Sequence, residues 1–471
     1  MDTKPPQAPL PVSQSPVIGD RRALLAACAG NVVEWYDYAI YSGSATVLAA
    51  VLAPGGWAGI TTIFAVFATS CLLRPLGSLA AGARADRLGR RQTLATMILM
   101  MAAATVAIGL LPPWTAIGVL APLCLLALRA VQAFSVGGEL GVSVAYLIEF
   151  SPARRRGRLG GWYLSTVAAG LAIGLGTTAA VAALVDTATL HSWAWRVPFL
   201  LALPLGLVGL YLRTRAAETP DFHHDRRRYA PAHSVPRGNS QALSGAPSRP
   251  RVRPTVVLRE NLSTIRRCFV LAAAYSAAFN IWFVFVPSYV TTTGRASLAV
   301  ALACAMVGLL STAIAAPFFG RLSDRIGRRP VLIGGCSVLV VAGIPVYLWV
   351  VSGSAAALLV GNVIVGVTVA AFVLPSYLAE QFTAAVRATG LGWAYGVAAA
   401  VIGGTAPLLA TVLAQRAPAA AAPAYIAAWA VAALVAVLRS SETAPALAGV
   451  SPRRRHGRAA RGPRSRRNPP R

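Results

Sequence analysis

Residues 82–91 read GARADRLGRR, and residues 320–329 read GRLSDRIGRR. Both fit G-x-x-x-D-R-x-G-R-R, and both follow a long apolar run. A second pair stands further out. LIEFSPARRRG (147–157) and LAEQFTAAVRA (378–388) each close a later apolar run with a glutamate and then arginine. Asp86 and Asp324 are 238 positions apart, and Glu149 and Glu380 are 231 apart. Two matched pairs at nearly one offset indicate an internal duplication. A helix that crosses a bilayer needs about 20 apolar residues, each rising about 1.5 Å. Twelve runs qualify, six per copy: 23–50, 58–81, 93–111, 116–148, 159–184, 195–212, 268–291, 297–318, 331–351, 354–379, 389–412 and 420–438. The alternating ten-residue segments of a β-barrel are not seen. The reading is an all-α integral membrane protein, with twelve transmembrane helices in two six-helix pseudo-symmetric halves.

Composition agrees. Hydrophobic residues make up 56% of the 471 and charged residues 12%, against about 25% charged in a soluble domain. The net charge of +28 is concentrated in arginine clusters between uncharged runs, so a nucleic-acid partner is not expected. Six scattered cysteines without a CxxC pair exclude a disulfide scaffold. The five histidines fall in loops or tails, and no metal site or organic cofactor is expected.

The arginines orient the chain. Arg21, Arg22, Arg84, Arg87, Arg90, Arg91, Arg154, Arg155, Arg156, Arg158, Arg321, Arg325, Arg328, Arg329 and Arg387 flank the N-terminus or lie in loops that follow even-numbered spans, whereas the opposite loops hold Arg196, Arg295 and Arg416. By the positive-inside rule both termini are cytoplasmic in a multi-pass protein of the cell inner membrane. The halves occupy 21–213 and 266–439. The polar segment 214–265, with HHDRRRY and APSRPRVRP, reads as a cytoplasmic linker. Segments 1–20 and 440–471 read as disordered tails. The first lacks the pattern of a cleaved signal peptide, and the second is basic, suited to anionic lipid near the inner leaflet.

The repeated loop resembles the hallmark loop of the major facilitator superfamily. GNVVEWYDYAIYSG (30–43), CLLRPLGSLAAG (71–82), RAVQAFSVGGELGVSVAYLIEFSPARRRG (129–157) and AAETPDF (216–222) together resemble its metabolite:proton symporters. Members of that family carry proline/betaine, α-ketoglutarate, citrate, shikimate or related acids. The resemblance covers nearly all of 20–440. It implies the major facilitator fold, alternating access, and a proton as the coupling ion. Ala133 departs from the glycine common in relatives.

The duplicated loop has a physical reading as a cytoplasmic gate. Gly89 and Gly327 allow tight turns. Asp86 and Asp324, at helix ends, can pair with arginines or face the positive N-terminus of a helix in the other half. The gate set is Asp86, Arg87, Gly89, Arg90, Arg91, Glu149 and Arg156, with Asp324, Arg325, Gly327, Arg328, Arg329, Glu380 and Arg387 from the second copy.

The interior holds few ionisable groups, and each is a functional candidate because its burial is costly. Glu34, Asp37, Tyr38 and Tyr41 share one helical stripe. On the fourth span Arg129, Gln132, Ser135, Glu139, Ser143 and Tyr146 form another. Arg129 can pair internally with Asp37 or Glu34, or bind a substrate carboxylate bidentately. Gln132, Tyr38, Tyr41, Tyr146 and Asn280 complete the expected substrate site. Tyr275, Trp282, Phe283, Phe285 and Tyr289 either line the cavity or serve as packing and interfacial aromatics. Glu139 is the first candidate proton carrier, followed by Asp37 and Glu34, since burial raises a carboxylate pKa and a nearby arginine lowers it.

The function expected is proton-coupled uptake of a small organic acid or a betaine- or amino-acid-like zwitterion by a monomer, with no enzymatic activity. The alternative is an efflux antiporter. Its fifth-span glycine motif is incomplete here, because Leu175 stands at the proline position and Thr178-Ala179 at the final glycines. A ligand-binding sensor is a third reading.

Overall fold

The computed structural model describes residues 21–77, 80, 84, 90–137, 153–215, 259–383, 386–416 and 421–444. Helices stand at all twelve positions read from the sequence. The first half holds α1 (Arg21–Gly43, extended by Ala45–Leu52), α2 (Trp57–Cys71), α3 (Arg90–Gly109), α4 (Leu120–Val136), α5 (Arg156–Leu184) and α6 (Ala202–Arg215). The second half begins with α7 (Leu262–Asn280, continued by Val286–Thr292), α8 (Leu298–Ile326) and α9 (Arg328–Val350). It ends with α10 (Ala355–Ala370, then Leu374–Glu380), α11 (Arg387–Val397, then Ala406–Ala414) and α12 (Ala421–Leu438). Among the described residues, eight helices are long and apolar enough to cross a membrane. No strand occurs among the described residues.

Packing follows the logic of a bundle in lipid, where small residues let backbones approach. In α5, Gly157 and Gly161 lie against Gly320 and Ala316 of α8, so the two halves touch along these helices. Large apolar side chains point outward instead, among them Leu203, Leu207 and Val208 of α6 and Val341, Ile344 and Leu348 of α9. Water would penalise such rows; hydrocarbon does not. The central helix is α7. Its apolar window is 89% buried, against 39% for α8 and α9.

Three irregularities mark the second half. Helix α7 carries a π-turn at Ile281–Phe285 and α11 another at Ala398–Gly403. Helix α10 breaks before Leu374, where Val373 has φ 37°. Each is followed by a proline: Pro287, Pro375 and Pro407. A proline has no N–H to donate, and its ring crowds the carbonyl four residues back. Such turns often occur at functional sites, and all three helices carry side chains toward the first half.

Contacts join the halves at both ends. On the face carrying the second duplicated loop, Ser376 Oγ donates to the Arg156 carbonyl at 2.9 Å. On the opposite face, the Trp57 and Tyr289 rings lie 6.2 Å apart, and Gln415 Nε2 reaches Thr61 Oγ1 at 3.4 Å.

Candidate functional site

The interior polar cluster is built from α1, α2, α3 and α4. Arg129 and Gln132 are three residues apart on α4 and therefore neighbours. Arg129 Nη1 donates to Gln132 Oε1 (2.8 Å), Gln132 Nε2 to Thr105 Oγ1 (2.6 Å), and Thr105 Oγ1 to Asp37 Oδ2 (2.7 Å). A relay across three helices thus connects the arginine to the aspartate. The Arg129 guanidinium lies 4.0 Å from the Tyr41 ring centroid and 5.4 Å from that of Phe67, a cation–π bed. Tyr41 is buried, and its hydroxyl donates to the Ile63 carbonyl at 2.8 Å. It supports Arg129 from below, which differs from the cavity-lining role expected of it.

Tyr38 and Asn280, both assigned to the substrate site, do meet. The Tyr38 hydroxyl donates to Asn280 Oδ1, linking α1 to α7 across the halves. Glu34 is buried and lies within electrostatic reach of Asp37 and Arg74. Sequence reasoning did not single out Arg74. Its guanidinium stands 5.7 Å from the Tyr38 ring and within electrostatic reach of Arg129. The signal was a lone arginine in CLLRPLG, at the end of an uncharged run. Three buried polar atoms here have no hydrogen-bond partner among the described residues: Asp37 Oδ1, Arg74 Nε and Arg129 Nε. Each such atom costs about 1–3 kcal/mol until it is satisfied. Glu139 and Tyr146 lie outside the described residues.

The aromatic expectation for α7 is corrected in part. Tyr275 lines a cavity between the halves together with Trp35, Tyr163 and Tyr395. Trp282 is fully buried and packs edge-on against Tyr347 at 5.9 Å, and Phe285 packs against Tyr289 at 5.5 Å. Trp35, Tyr163 and Tyr395 were not anticipated. They come from α1, α5 and α11, and only the assembled bundle brings them together.

Within the expected gate set, Asp324 does both things open to it. Its Oδ1 accepts from the Gly157 N–H and its Oδ2 from the Arg158 N–H, each at 2.8 Å. The carboxylate therefore caps the positive end of α5, in the other half. It also pairs with Arg328 Nη1 at 2.7 Å. A Cβ at Gly157 would overlap the Arg328 guanidinium and the Gly320 carbonyl, so only glycine admits this approach. Arg328 is fully buried and grips Glu380 with Nε and Nη2, both at 3.1 Å. Gly327 turns the chain with φ 107°.

Other members of the expected gate set make different contacts. Arg329 donates to the Val437 and Leu438 carbonyls at the end of α12. Arg387 donates to the Ala379 carbonyl at 2.9 Å, within its own half. Arg156 contributes its carbonyl to Ser376. Arg325 lines a basic depression with Arg154, Arg155, Arg158 and Arg321. Asp86, Arg87, Gly89 and Glu149 lie outside the described residues, as do the side chains of Arg90 and Arg91.

Glu442, in the segment read as tail, joins this cluster. Its carboxylate accepts from the Arg328 N–H (2.8 Å) and the Arg329 N–H (3.1 Å), capping α9. Thr443 Oγ1 meanwhile reaches Glu380 Oε2 at 3.2 Å. The signal was R-x-x-E-T, which occurs at 215–219 and again at 439–443. Glu442→Ala is expected to lower stability by about 1–2 kcal/mol through the lost cap, and Glu442→Gln by less. Thermal unfolding in detergent measures both. Equal melting of the alanine variant and wild type would show that this cap contributes no stability.

The comparisons with known proteins agree with this architecture. The chain matches the Major Facilitator Superfamily over residues 27–377 and 269–470. It is 32% identical over 429 residues to the proline/betaine transporter of Salmonella typhimurium, covering 88% of this chain and 83% of that protein. It is 31% identical over 427 residues to the glycine betaine/proline/ectoine/pipecolic acid transporter OusA of Dickeya dadantii, again 88% and 83%. Among solved structures, the proton:xylose symporter XylE bound to 6-bromo-6-deoxy-D-glucose superposes with a TM-score of 0.68 at 17% identity, over 90% of this chain and 96% of that one. The chain belongs to the major facilitator superfamily of membrane transporters. Within that superfamily its relatives are the proline/betaine transporters.

Proposed function

We propose that the chain is a proton-coupled symporter of the cell inner membrane that takes up a small zwitterion by alternating access, without enzymatic activity. One observation carries this reading. Arg74 and Arg129 stand with Glu34 and Asp37 inside an apolar bundle, and polar atoms there await a partner. With both carboxylates ionised the four charges cancel. Protonating one leaves an arginine without its counter-ion, and the carboxylate end of a zwitterion takes that place. Proton and substrate then favour each other's binding, which is coupling in the thermodynamic sense. The names of the relatives point to proline and betaine as the substrate class.

Among these four charges Asp37 is the carboxylate assigned to the proton, while Glu139, outside the set, is the first candidate carrier on sequence grounds. The face with the duplicated loops is the cytoplasmic one, by its arginines. Asp324 capping α5 closes that face, and the Trp57–Tyr289 contact closes the other. Alternating access breaks one set at a time. The protein works as a monomer, with anionic lipid around its basic loops.

The test is uptake of labelled proline and N,N,N-trimethylglycine by proteoliposomes. Acidifying the outside is expected to drive accumulation above the external concentration, and a protonophore to abolish it. Uptake indifferent to the gradient would overturn proton symport.

A further inference from the structure

The proposed function leaves the ammonium end of the substrate without a place, and the cavity between the halves supplies one. Four aromatic side chains line it, two from each half: Trp35 of α1 and Tyr163 of α5, with Tyr275 of α7 and Tyr395 of α11. The remaining wall is aliphatic, including Pro375 beyond the break in α10 and the neighbouring Leu378.

Three features give this chamber a chemical preference. The first is rigidity. Trp35 Nε1 donates to Asn31 Oδ1 at 3.0 Å, and Asn31 Nδ2 donates to Thr166 Oγ1 at 2.7 Å. The indole N–H is thus engaged, and the ring is held in place. The second is charge. Tyr163 lies within electrostatic reach of the Glu34 carboxylate, which favours a cation on that side of the chamber, whereas Tyr395 stands closer in influence to Arg74 than to Glu34. The third is the distance to the arginine. Tyr38 contacts Trp35, with ring centroids 5.6 Å apart, and also lies under Arg74 at 5.7 Å. Tyr395 is itself within reach of Arg74. Arg74 is thus the cation on the Tyr38 and Tyr395 side of the chamber, and the ligand's carboxylate is assigned to that side.

We infer that this chamber is the ammonium subsite, and that it selects a fully N-methylated ammonium over one that carries N–H. Ring faces attract any cation through their quadrupoles. An ammonium with N–H groups, however, gives up hydrogen bonds to water on entering an aromatic and aliphatic wall. A trimethylammonium has none to give up, and its methyl groups pack against the leucines. This inference rests on the proposed uptake of zwitterions and adds the selectivity and its residues.

The experiment uses the full chain in proteoliposomes with an acid-outside gradient. Glycine, N-methylglycine, N,N-dimethylglycine and N,N,N-trimethylglycine compete against labelled proline. So does 3,3-dimethylbutanoate, which replaces the trimethylammonium with an uncharged tert-butyl group of the same shape. Apparent affinity is expected to rise with each methyl. The neutral isostere is expected to be about tenfold or more weaker than trimethylglycine. In Tyr395→Leu, the ratio of trimethylglycine to proline affinity is expected to fall about tenfold. The ratio corrects for any loss of folded protein, and the isostere comparison needs no variant. A flat methyl series, an isostere equal to trimethylglycine, or an unchanged ratio overturns the subsite and leaves the transport reading standing. If neither proline nor trimethylglycine accumulates under the gradient, the transport reading fails and the subsite fails with it.

Discussion

Arg328→Ala is expected to cost about 3–5 kcal/mol in stability, the range for removing one partner of a buried ion pair. Arg328 is fully buried, and the side chains it holds are 2% exposed at Glu380 and 9% exposed at Asp324. Removing the guanidinium takes the paired arginine from two carboxylates at once. The loss should therefore exceed that of Glu442→Ala, which removes a cap but leaves the Arg328–Glu380 pair intact. Thermal unfolding of the purified protein in detergent measures the effect. Combining Arg328→Leu with Glu380→Leu should recover part of it, because Glu380 is no longer stranded and Asp324 keeps its two N–H donors at the start of α5. If the single variant melts with wild type, Arg328 is not what holds this face together.

Glu139→Gln is expected to abolish pH-driven accumulation while leaving substrate exchange intact. Glutamine imitates the protonated acid permanently. A carrier that never releases its proton cannot convert a gradient into concentration, but it can still swap labelled for unlabelled substrate. Vesicles with an acidic exterior measure the first property, and counterflow without a gradient measures the second. Accumulation retained in Glu139→Gln would overturn that assignment and move the test to Asp37→Asn. Asp37 already has one carboxylate oxygen held by Thr105 and the other without a partner among the described residues. Loss of both accumulation and exchange in Glu139→Gln would place Glu139 in substrate binding instead.

The two expectations differ in how they could be found. Glu139 was visible as a carboxylate in an apolar run, and Arg129 and Gln132 as polar residues at helical spacing within one span. Each of those signals is local. The charged cluster between the halves was half visible: duplication marked Asp324, Arg328 and Glu380, and their spacing placed them near a helix end. That Asp324 caps α5 of the other half was one of two stated possibilities, and the structure shows it together with the Arg328 pair. Glu442 was passed over because the segment around it has the composition of a tail.

By itself, the sequence determined the membrane setting, the twelve helices, their division into two related halves and the family. The physical reason is that lipid demands long apolar helices and penalises every charge inside them, so spans and exceptions are written locally in the chain. Only the tertiary structure decided which side chains share a space. Trp35, Tyr163, Tyr275 and Tyr395 look like ordinary packing aromatics in four separate helices. Arg74 looks like the flank of a span, yet it lies beside Tyr38 and within electrostatic reach of Arg129. Contacts between helices depend on how each is rotated and how closely it approaches its neighbours. Those quantities come from glycine contacts such as Gly157 with Gly320 and from the breaks ahead of Pro287, Pro375 and Pro407. Hydropathy along one span carries no information about the span it will meet.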